Sequence, residues 1–214
     1  MKKILILSVP FITLFFLSCS PTQESTGVWV NKEKIQGKSF GNFFILVMTA
    51  DIEARVTLED DLAAIATARG FKAVKSLELL PFNLSDPKIP AKEDVVKKIK
   101  ASGCDAVFIA SVINKNDTVR YEPGTTAYTV MPNYTFTGNY YGYYSNWYPT
   151  VSTSDYYARE KTYFLQSNLY DVASEEIMWS VQSKIFNPSS IKSFSRSYTS
   201  SLFTQLKKAK LLKK

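Results

Sequence analysis

Histidine is absent from the sequence, which removes the side chain most often used as a general base near neutral pH. The same absence removes the commonest nitrogen ligand of zinc sites and every nucleophile that depends on a histidine partner. Glycine motifs that cradle a nucleotide phosphate are also absent after the apolar runs. The sequence therefore favours a noncatalytic protein, and we expect no catalytic residue, no metal and no cofactor.

Cysteine is scarce, with Cys19 and Cys104 as the two residues present. Cys104 stands just before the apolar run 106–110. A free cysteine in such a position is usually a small buried core residue and not a reactive thiol. We therefore assign Cys104 to the core.

Carboxylates cluster in two short groups, Glu59-Asp60-Asp61 and Glu175-Glu176. Paired carboxylates can act as general acid and base. The first group, however, suits the beginning of a helix and the second a turn, and charged residues are mostly exposed. We interpret both groups as solvated.

The formal net charge is +7, but its excess lies at the two ends of the chain. A nucleic-acid surface would need basic residues spread over one face among aromatic rings. We expect no nucleic-acid partner, and we interpret the C-terminal lysines as favourable charges at a helix C-terminus. These residues are Lys207, Lys208, Lys210, Lys213 and Lys214.

The apolar run 4–17 follows Lys2 and Lys3 and ends at Ser18 and Cys19. It is shorter than the roughly 20 apolar residues that cross a bilayer as a helix. This layout is typical of a secretory signal and resembles a bacterial lipoprotein signal, with an ordinary secretory signal as the alternative.

The resemblance implies that Cys19 becomes the first residue and carries diacylglycerol and fatty acyl groups such as palmitate. Two or three acyl chains would give a lasting membrane anchor. Ser20, where an aspartate would resemble an inner-membrane retention signal, favours the outer membrane. We expect a signal peptide at 1–18, a lipidated tether and linker at 19–42, and one domain at 43–214. Within the linker, the apolar residues 28–30 suit a short strand or a plug.

Alternating apolar patterns predict the architecture of that domain. Strands are expected at 43–49, 71–80 and 105–113, with helices at 57–69 and from about 91 to a stop at Gly103. This order predicts parallel crossovers. A hairpin of 162–172 and 177–186 follows, and a helix from 191 ends the chain.

In the second arm of this hairpin, the period of two places Ile177, Trp179, Val181 and Ile185 on the core face. The predicted class is α/β (α+β), a single domain with a mixed sheet of about five strands and three helices. Its order is βαβαβ, a hairpin, and a C-terminal helix.

Residues 121–157 form a tyrosine-rich segment that holds ten of the 13 tyrosines, and no charged residue occurs from 123 to 154. The segment suits a loosely ordered insertion, a binding surface for sugars, peptidoglycan or a partner protein, or a membrane-contacting hairpin. Candidate partner-binding residues on an exposed patch are Tyr140, Tyr141, Tyr143, Tyr144 and Trp147.

Motifs along most of 43–206 resemble a family of uncharacterised bacterial envelope lipoproteins. They are FFILVMT, RVTLEDDL, GCDAVFIASV, the Tyr/Gly run and YDVASEEIMWS. The fold also resembles the small α/β domain at the N-terminus of TolB and in the curli secretion lipoprotein. This resemblance implies an envelope role in assembly or partner recruitment and transfers no catalytic residue. Ser174-Glu175 replaces the Thr-Gly usual in this family at the hairpin turn.

The sequence therefore predicts a membrane-anchored binding or scaffolding lipoprotein. Its partners would be membrane lipid at Cys19 and an envelope protein or glycan. A glycan-binding or peptidoglycan-binding module is the first alternative, and an envelope enzyme is the second.

Overall fold

The computed structural model describes residues 23–80, 90–117, 139–140, 161–186 and 188–213. These residues form one six-stranded mixed sheet of order β1-β6-β5-β4-β2-β3. The strands are β1 (Gln23–Val30), β2 (Asn42–Met48), β3 (Lys72–Lys75), β4 (Ala106–Asp117), β5 (Lys161–Asp171) and β6 (Ile177–Phe186). The helices are α1 (Ile52–Thr67), α2 (Ser76–Leu79), α3 (Lys92–Ala101) and α4 (Ile191–Lys208). The predicted α/β class is confirmed, with one strand and one short helix more than expected.

Strand β1 is the additional strand, and it pairs antiparallel with β6 from Gln23 opposite Ile185 to Val30 opposite Trp179. It lies within the range 19–42 that the sequence assigned to a tether and linker. A strand at 28–30 was one of the expected outcomes, so the assignment to a tether is wrong for residues 23–27. An edge strand needs a hydrogen-bonding neighbour on one side only, so the polar sequence QESTG can occupy it.

The parallel half of the sheet follows the predicted crossovers, because β2 pairs in parallel with both β3 and β4. Helix α1 begins earlier than expected, where the Asp51 carboxylate accepts a hydrogen bond from the Ala54 amide at 3.0 Å. Gly70 follows the helix in the left-handed region, with φ +82°. The predicted strand 71–80 is correct only for 72–75, since the chain then turns into α2.

Both faces of the central strands β2 and β4 are buried. Helices α1 and α4 cover one face through residues such as Leu58, Leu62, Tyr198 and Leu202. Helix α3 covers part of the other face with Val95 and Ile99, where Cys104 also lies buried as expected. The continuous apolar sequences of β2 and β4 follow from this double burial.

A β-bulge in the hairpin changes the predicted side-chain alternation of β6. Tyr170 faces Ile177, whereas the preceding Leu169 faces Trp179, so Met178 is the extra residue. Trp179 is fully buried on the α1/α4 face, as predicted. Ile177 lies on the α3 face instead, so its predicted orientation is wrong, and Met178 joins the face of Trp179.

The hairpin turn holds Glu175 in the left-handed region, with φ +61°. The family resemblance implies glycine at this position, and glycine adopts such angles without steric cost. The Asp171 carboxylate closes the turn by accepting hydrogen bonds from the Ser174 hydroxyl at 2.7 Å and the Ser174 amide at 2.9 Å. The Glu175 carboxylate lies 3.4 Å from Lys100 and 3.8 Å from Lys92, which gives weak ion pairs.

We expect the Glu175→Gly variant to be at least as stable as the parent protein, because relief of about 1 kcal/mol of left-handed strain offsets the lost ion pairs. The matched variant Glu175→Ala loses the same ion pairs and keeps the strain. It should unfold at lower urea concentration than the glycine variant, by about 1 kcal/mol in unfolding free energy. Equal stabilities of the two variants would contradict a strained turn.

Candidate functional site

The sequence-predicted site residues fall into two groups. Cys19, Tyr141, Tyr143, Tyr144 and Trp147 lie outside the described residues. Tyr140 is described, and its side chain is 1 % exposed. The expectation that Tyr140 belongs to an exposed patch is therefore wrong, because its ring packs into the core on the α3 face.

Tyr140 fastens the middle of the tyrosine-rich segment to the turn end of the β5–β6 hairpin. Its ring meets the Tyr170 ring edge to face, with centroids 6.3 Å apart and planes at 79°. The neighbouring Asn139 forms an antiparallel backbone bridge with Glu176. Such an aromatic contact contributes about 1 kcal/mol beyond the free energy gained by burying the rings. Asn139 and Tyr140 therefore form a defined attachment point.

The face of β5 next to Tyr140 carries a row of buried polar side chains. Gln166 Nε2 donates to Asn168 Oδ1 at 3.3 Å, and Asn168 Nδ2 donates to the Tyr170 hydroxyl at 3.2 Å. All three residues are at least 97 % buried. Hydrogen bonds in such a setting are directional, so they fix the Tyr170 ring against which Tyr140 packs.

The Tyr140 hydroxyl is buried and has no hydrogen-bond partner among the described residues. Burial raises the pKa of Tyr140 to about 12, and the negative charge of Glu175 adds to this rise. The neutral phenol is the form that the core accepts. Tyr140 therefore acts as a packing residue and not as an acid or base near neutral pH.

A second cluster surrounds Glu59, which is completely buried. Its Oε1 accepts hydrogen bonds from the Val47 amide at 3.1 Å, the Arg55 Nε at 3.3 Å and the Ser76 hydroxyl at 2.6 Å. Its Oε2 accepts one from the Leu77 amide at 3.2 Å. The interpretation of Glu59 as a solvated carboxylate is wrong, since it joins β2, α1 and α2.

This cluster lies at the carboxyl end of β2, where open α/β sheets often bind ligands. Here the four donors already occupy the Glu59 carboxylate, and the Arg55 side chain donates a further hydrogen bond to Ser76 at 2.9 Å. The sequence did contain a signal for the pair, because Arg55 and Glu59 are four residues apart on a helix. The sequence could not show that the fold brings Ser76 into hydrogen-bonding contact with this pair.

An open groove of about 630 Å³ runs between β1 and α4. Its walls combine serine and threonine of α4 with Val28, which is 55 % exposed. The described part of the chain holds no cluster of three or more metal-binding side chains. Likewise, no helix within the described ranges is long and apolar enough to span a membrane.

The protein is therefore a mixed α/β domain in which Asn139 and Tyr140, from the tyrosine-rich segment, lie against the sheet. No known family model matches the chain, and no curated protein matches its sequence.

Solved structures that match the chain include the following three. A dodecamer of a single-substitution variant of PelC from Paraburkholderia phytofirmans shows 14 % identity and a TM-score of 0.39, with 83 % of this chain and 91 % of that chain covered. A second PelC dodecamer from the same organism shows 12 % identity and a TM-score of 0.40 over 82 % and 90 %. Lipoprotein GNA1162 from Neisseria meningitidis shows 12 % identity and a TM-score of 0.40 over 78 % and 99 %. Similarity at this level carries no argument about activity or partners.

Replacement of Glu59 by Gln should lower the unfolding free energy by about 3 kcal/mol, because an amide nitrogen cannot accept the bonds that the carboxylate accepts and Arg55 loses its charge partner. The adjacent Asp60→Asn variant is the control. Asp60 is exposed and pairs with Lys75 at 2.9 Å, so its loss should cost at most about 1 kcal/mol. Urea unfolding followed by circular dichroism measures both, and equal costs would contradict the buried clamp.

The Tyr140→Phe variant should match the parent protein at pH 7 or exceed its unfolding free energy by up to about 1 kcal/mol, because an unpartnered buried hydroxyl is removed. Since the folded pKa is raised from 10.0 to about 12, the neutral phenol stabilises the parent fold below pH 10. That contribution is lost as the pH rises towards 12, and the variant should lack this loss.

Tyr170→Phe is the matched control, because the Tyr170 hydroxyl accepts a hydrogen bond from Asn168. Its loss should cost about 1 kcal/mol at pH 7. Unfolding curves at pH 7 and pH 11 separate the two variants. A Tyr140→Phe protein clearly less stable than the parent at pH 7 would contradict the absence of a partner.

Proposed function

We propose that the protein is a lipid-anchored envelope protein that binds a partner or scaffolds an assembly and catalyses no reaction. Cys19 carries the lipid, and the outer membrane is the membrane favoured by Ser20. The tyrosine-rich segment is the contact surface. The observation that carries this proposal is the burial of Tyr140 against Tyr170.

Burial of Tyr140 supports a contact role because it fixes the chain just before the remaining candidate residues. Tyr141, Tyr143, Tyr144 and Trp147 follow within seven positions of this attachment point. Tyrosine and tryptophan offer large amphipathic rings at low conformational cost. A segment attached at one point also loses less freedom on binding than a segment held only at its two distant ends.

The engagement of Glu59, Asp171 and Asp105 inside the fold supports a noncatalytic role. Glu59 accepts four hydrogen bonds inside the fold. Burial opposes ionisation of Asp171, but hydrogen bonds from Ser174 and Lys38 outweigh it and hold the pKa of Asp171 below its ordinary value. Asp105 accepts from the Gly41 and Asn42 amides and from Lys213. Each of these groups stabilises a turn or a strand end.

Photo-crosslinking in living cells tests the proposal, with a photoreactive residue at position 143 or 147. We expect both positions to capture the same molecule. The control is the same residue at Lys97, an exposed position on α3. Capture of the same molecule from position 97 would contradict a specific patch.

The matched variant replaces Tyr141, Tyr143, Tyr144 and Trp147 by serine and keeps Tyr140, whose loss would disturb the core. We expect it to retain the parent unfolding free energy to within about 1 kcal/mol and to lose the captured partner. A folded variant that keeps every partner overturns the assignment of the patch. A captured glycan strand, released by soluble glycan, would identify the partner as peptidoglycan instead of a protein.

A further inference from the structure

The inference drawn here rests on the proposed lipidation of Cys19 and concerns how the domain meets its membrane. Strand β1 begins at Gln23, so four peptide links separate it from Cys19. At about 3.5 Å per residue, these links span at most about 14 Å. The sheet itself, and not a long flexible tether, therefore begins next to the anchor.

Strand register shows which end of the sheet lies there. Gln23 faces Ile185 near the end of β6. Thr162 faces Phe186, and Asp117 faces Lys161, so β4 ends and β5 begins at the same level. We call this end of the strands the anchor end; residues 23, 117, 161 and 186 lie there.

The opposite end carries the hairpin turn and the attachment point of the tyrosine-rich segment. Asn139 bridges to Glu176 there, and Val30 faces Trp179. Strand β5 has 11 residues, which at about 3.3 Å per residue separates the two ends by about 36 Å. Asn139 and Tyr140 therefore lie far from the anchor end.

A cluster of two aromatic rings and one lysine occupies the anchor end. The Lys184 Nζ lies 4.3 Å from the centre of the Phe186 ring and 5.8 Å from that of Phe164. Phe164 and Lys184 face each other across the β5–β6 pair. All three side chains are partly exposed. Gln23 pairs with Ile185, which lies between Lys184 and Phe186 in the sequence.

We propose that this cluster rests in the headgroup layer of the bilayer that holds the Cys19 lipid. Aromatic rings beside lysine are suited to that layer, where the rings enter the acyl boundary and the ammonium group meets phosphate. The short link at Gln23 brings the cluster within reach of the lipid. Lys192, exposed in the first turn of α4, adds a second positive charge close to the same end.

This arrangement assigns opposite roles to the two ends of α4. The helix begins five residues after Phe186 and has 18 residues, about 27 Å in length. Leu211, three residues beyond the helix, accepts a backbone hydrogen bond from Phe40, just before β2. Lys213 pairs with Asp105 at 2.6 Å, just before β4, where that strand lies level with the hairpin turn. Lys208 and Lys213 therefore lie towards the end of the sheet opposite the anchor end, as does the attachment point at Tyr140.

Fluorescent labelling at the two ends of α4 tests the proposal. Lys192→Cys and Lys208→Cys are matched variants, because both lysines are exposed on one helix, about 24 Å apart along its axis. Each lipidated full-length variant carries an environment-sensitive dye and is reconstituted in phosphatidylethanolamine and phosphatidylglycerol vesicles containing headgroup spin-labelled lipid. Cys104 is buried. The parent protein, treated with the same dye, is the control for any labelling of Cys104.

We expect the spin label to quench the dye at position 192 about twofold or more and to leave position 208 nearly unchanged. Phe164→Ser with Phe186→Ser, or Lys184→Glu alone, should reduce the quenching at 192. Equal quenching at both positions, or none at either, overturns the proposal, and so does quenching at 192 that is unchanged in both cluster variants.

Mass spectrometry of the same preparations separates this proposal from the one on which it rests. A mature protein without fatty acyl mass on Cys19 removes the proposed lipid anchor itself. A lipidated protein whose label at 192 is not quenched keeps the anchor and rejects the resting surface. Circular dichroism of the cluster variants establishes that a loss of quenching does not come from unfolding.

Discussion

Burial of the parallel pair β2 and β4 on both faces is the constraint on which the rest of the structure depends. Alternate residues of each strand enter two separate apolar clusters, one under α1 and α4 and one under α3. A strand pair of this kind needs cover on both sides, since an uncovered face would leave large apolar side chains in water. The crossover helices supply much of that cover, and the antiparallel hairpin extends the sheet towards β1. The polar edge strand can then occupy the last place, because it has a hydrogen-bonding neighbour on one side.

Elements whose pattern is local were predictable from the sequence. The strand at 42–48 is a nearly continuous apolar run, and the helix at 191–208 has apolar residues at helical spacing. Ser190 caps that helix by accepting a hydrogen bond from the Ser193 amide. Elements decided by distant partners were not predictable in the same way. The first five residues of strand β1 have no apolar signal and depend on pairing with β6. The orientation of Ile177 depends on a bulge, since one inserted residue exchanges the two faces of a strand.

The candidate site shows the same limit at the level of single residues. Composition singled out the tyrosine-rich segment as unusual, but composition alone treats Tyr140 like its neighbours. What distinguishes Tyr140 is the Tyr170 ring across the chain, which the sequence does not bring into view. For Glu59 the charge itself suggested solvent exposure, and only the meeting of Val47, Arg55 and Ser76 compensates for burial of the carboxylate. The left-handed Glu175 is the converse case, because the family resemblance had already marked that position as one that suits glycine.

The length of the sheet limits where a partner of the proposed patch can be. If a lipid at Cys19 holds the anchor end, the link of four peptide bonds leaves the domain little freedom to move away from the bilayer. The attachment point at Tyr140 is then up to about 36 Å from the anchor end, because β5 runs between them. A partner must therefore approach to within roughly one domain length of the membrane. The distance between the proposed anchor and the attachment point at Tyr140 is then set by the hydrogen-bonded sheet. A flexible linker does not extend this distance, because the residues that would form one are paired with β6 as β1.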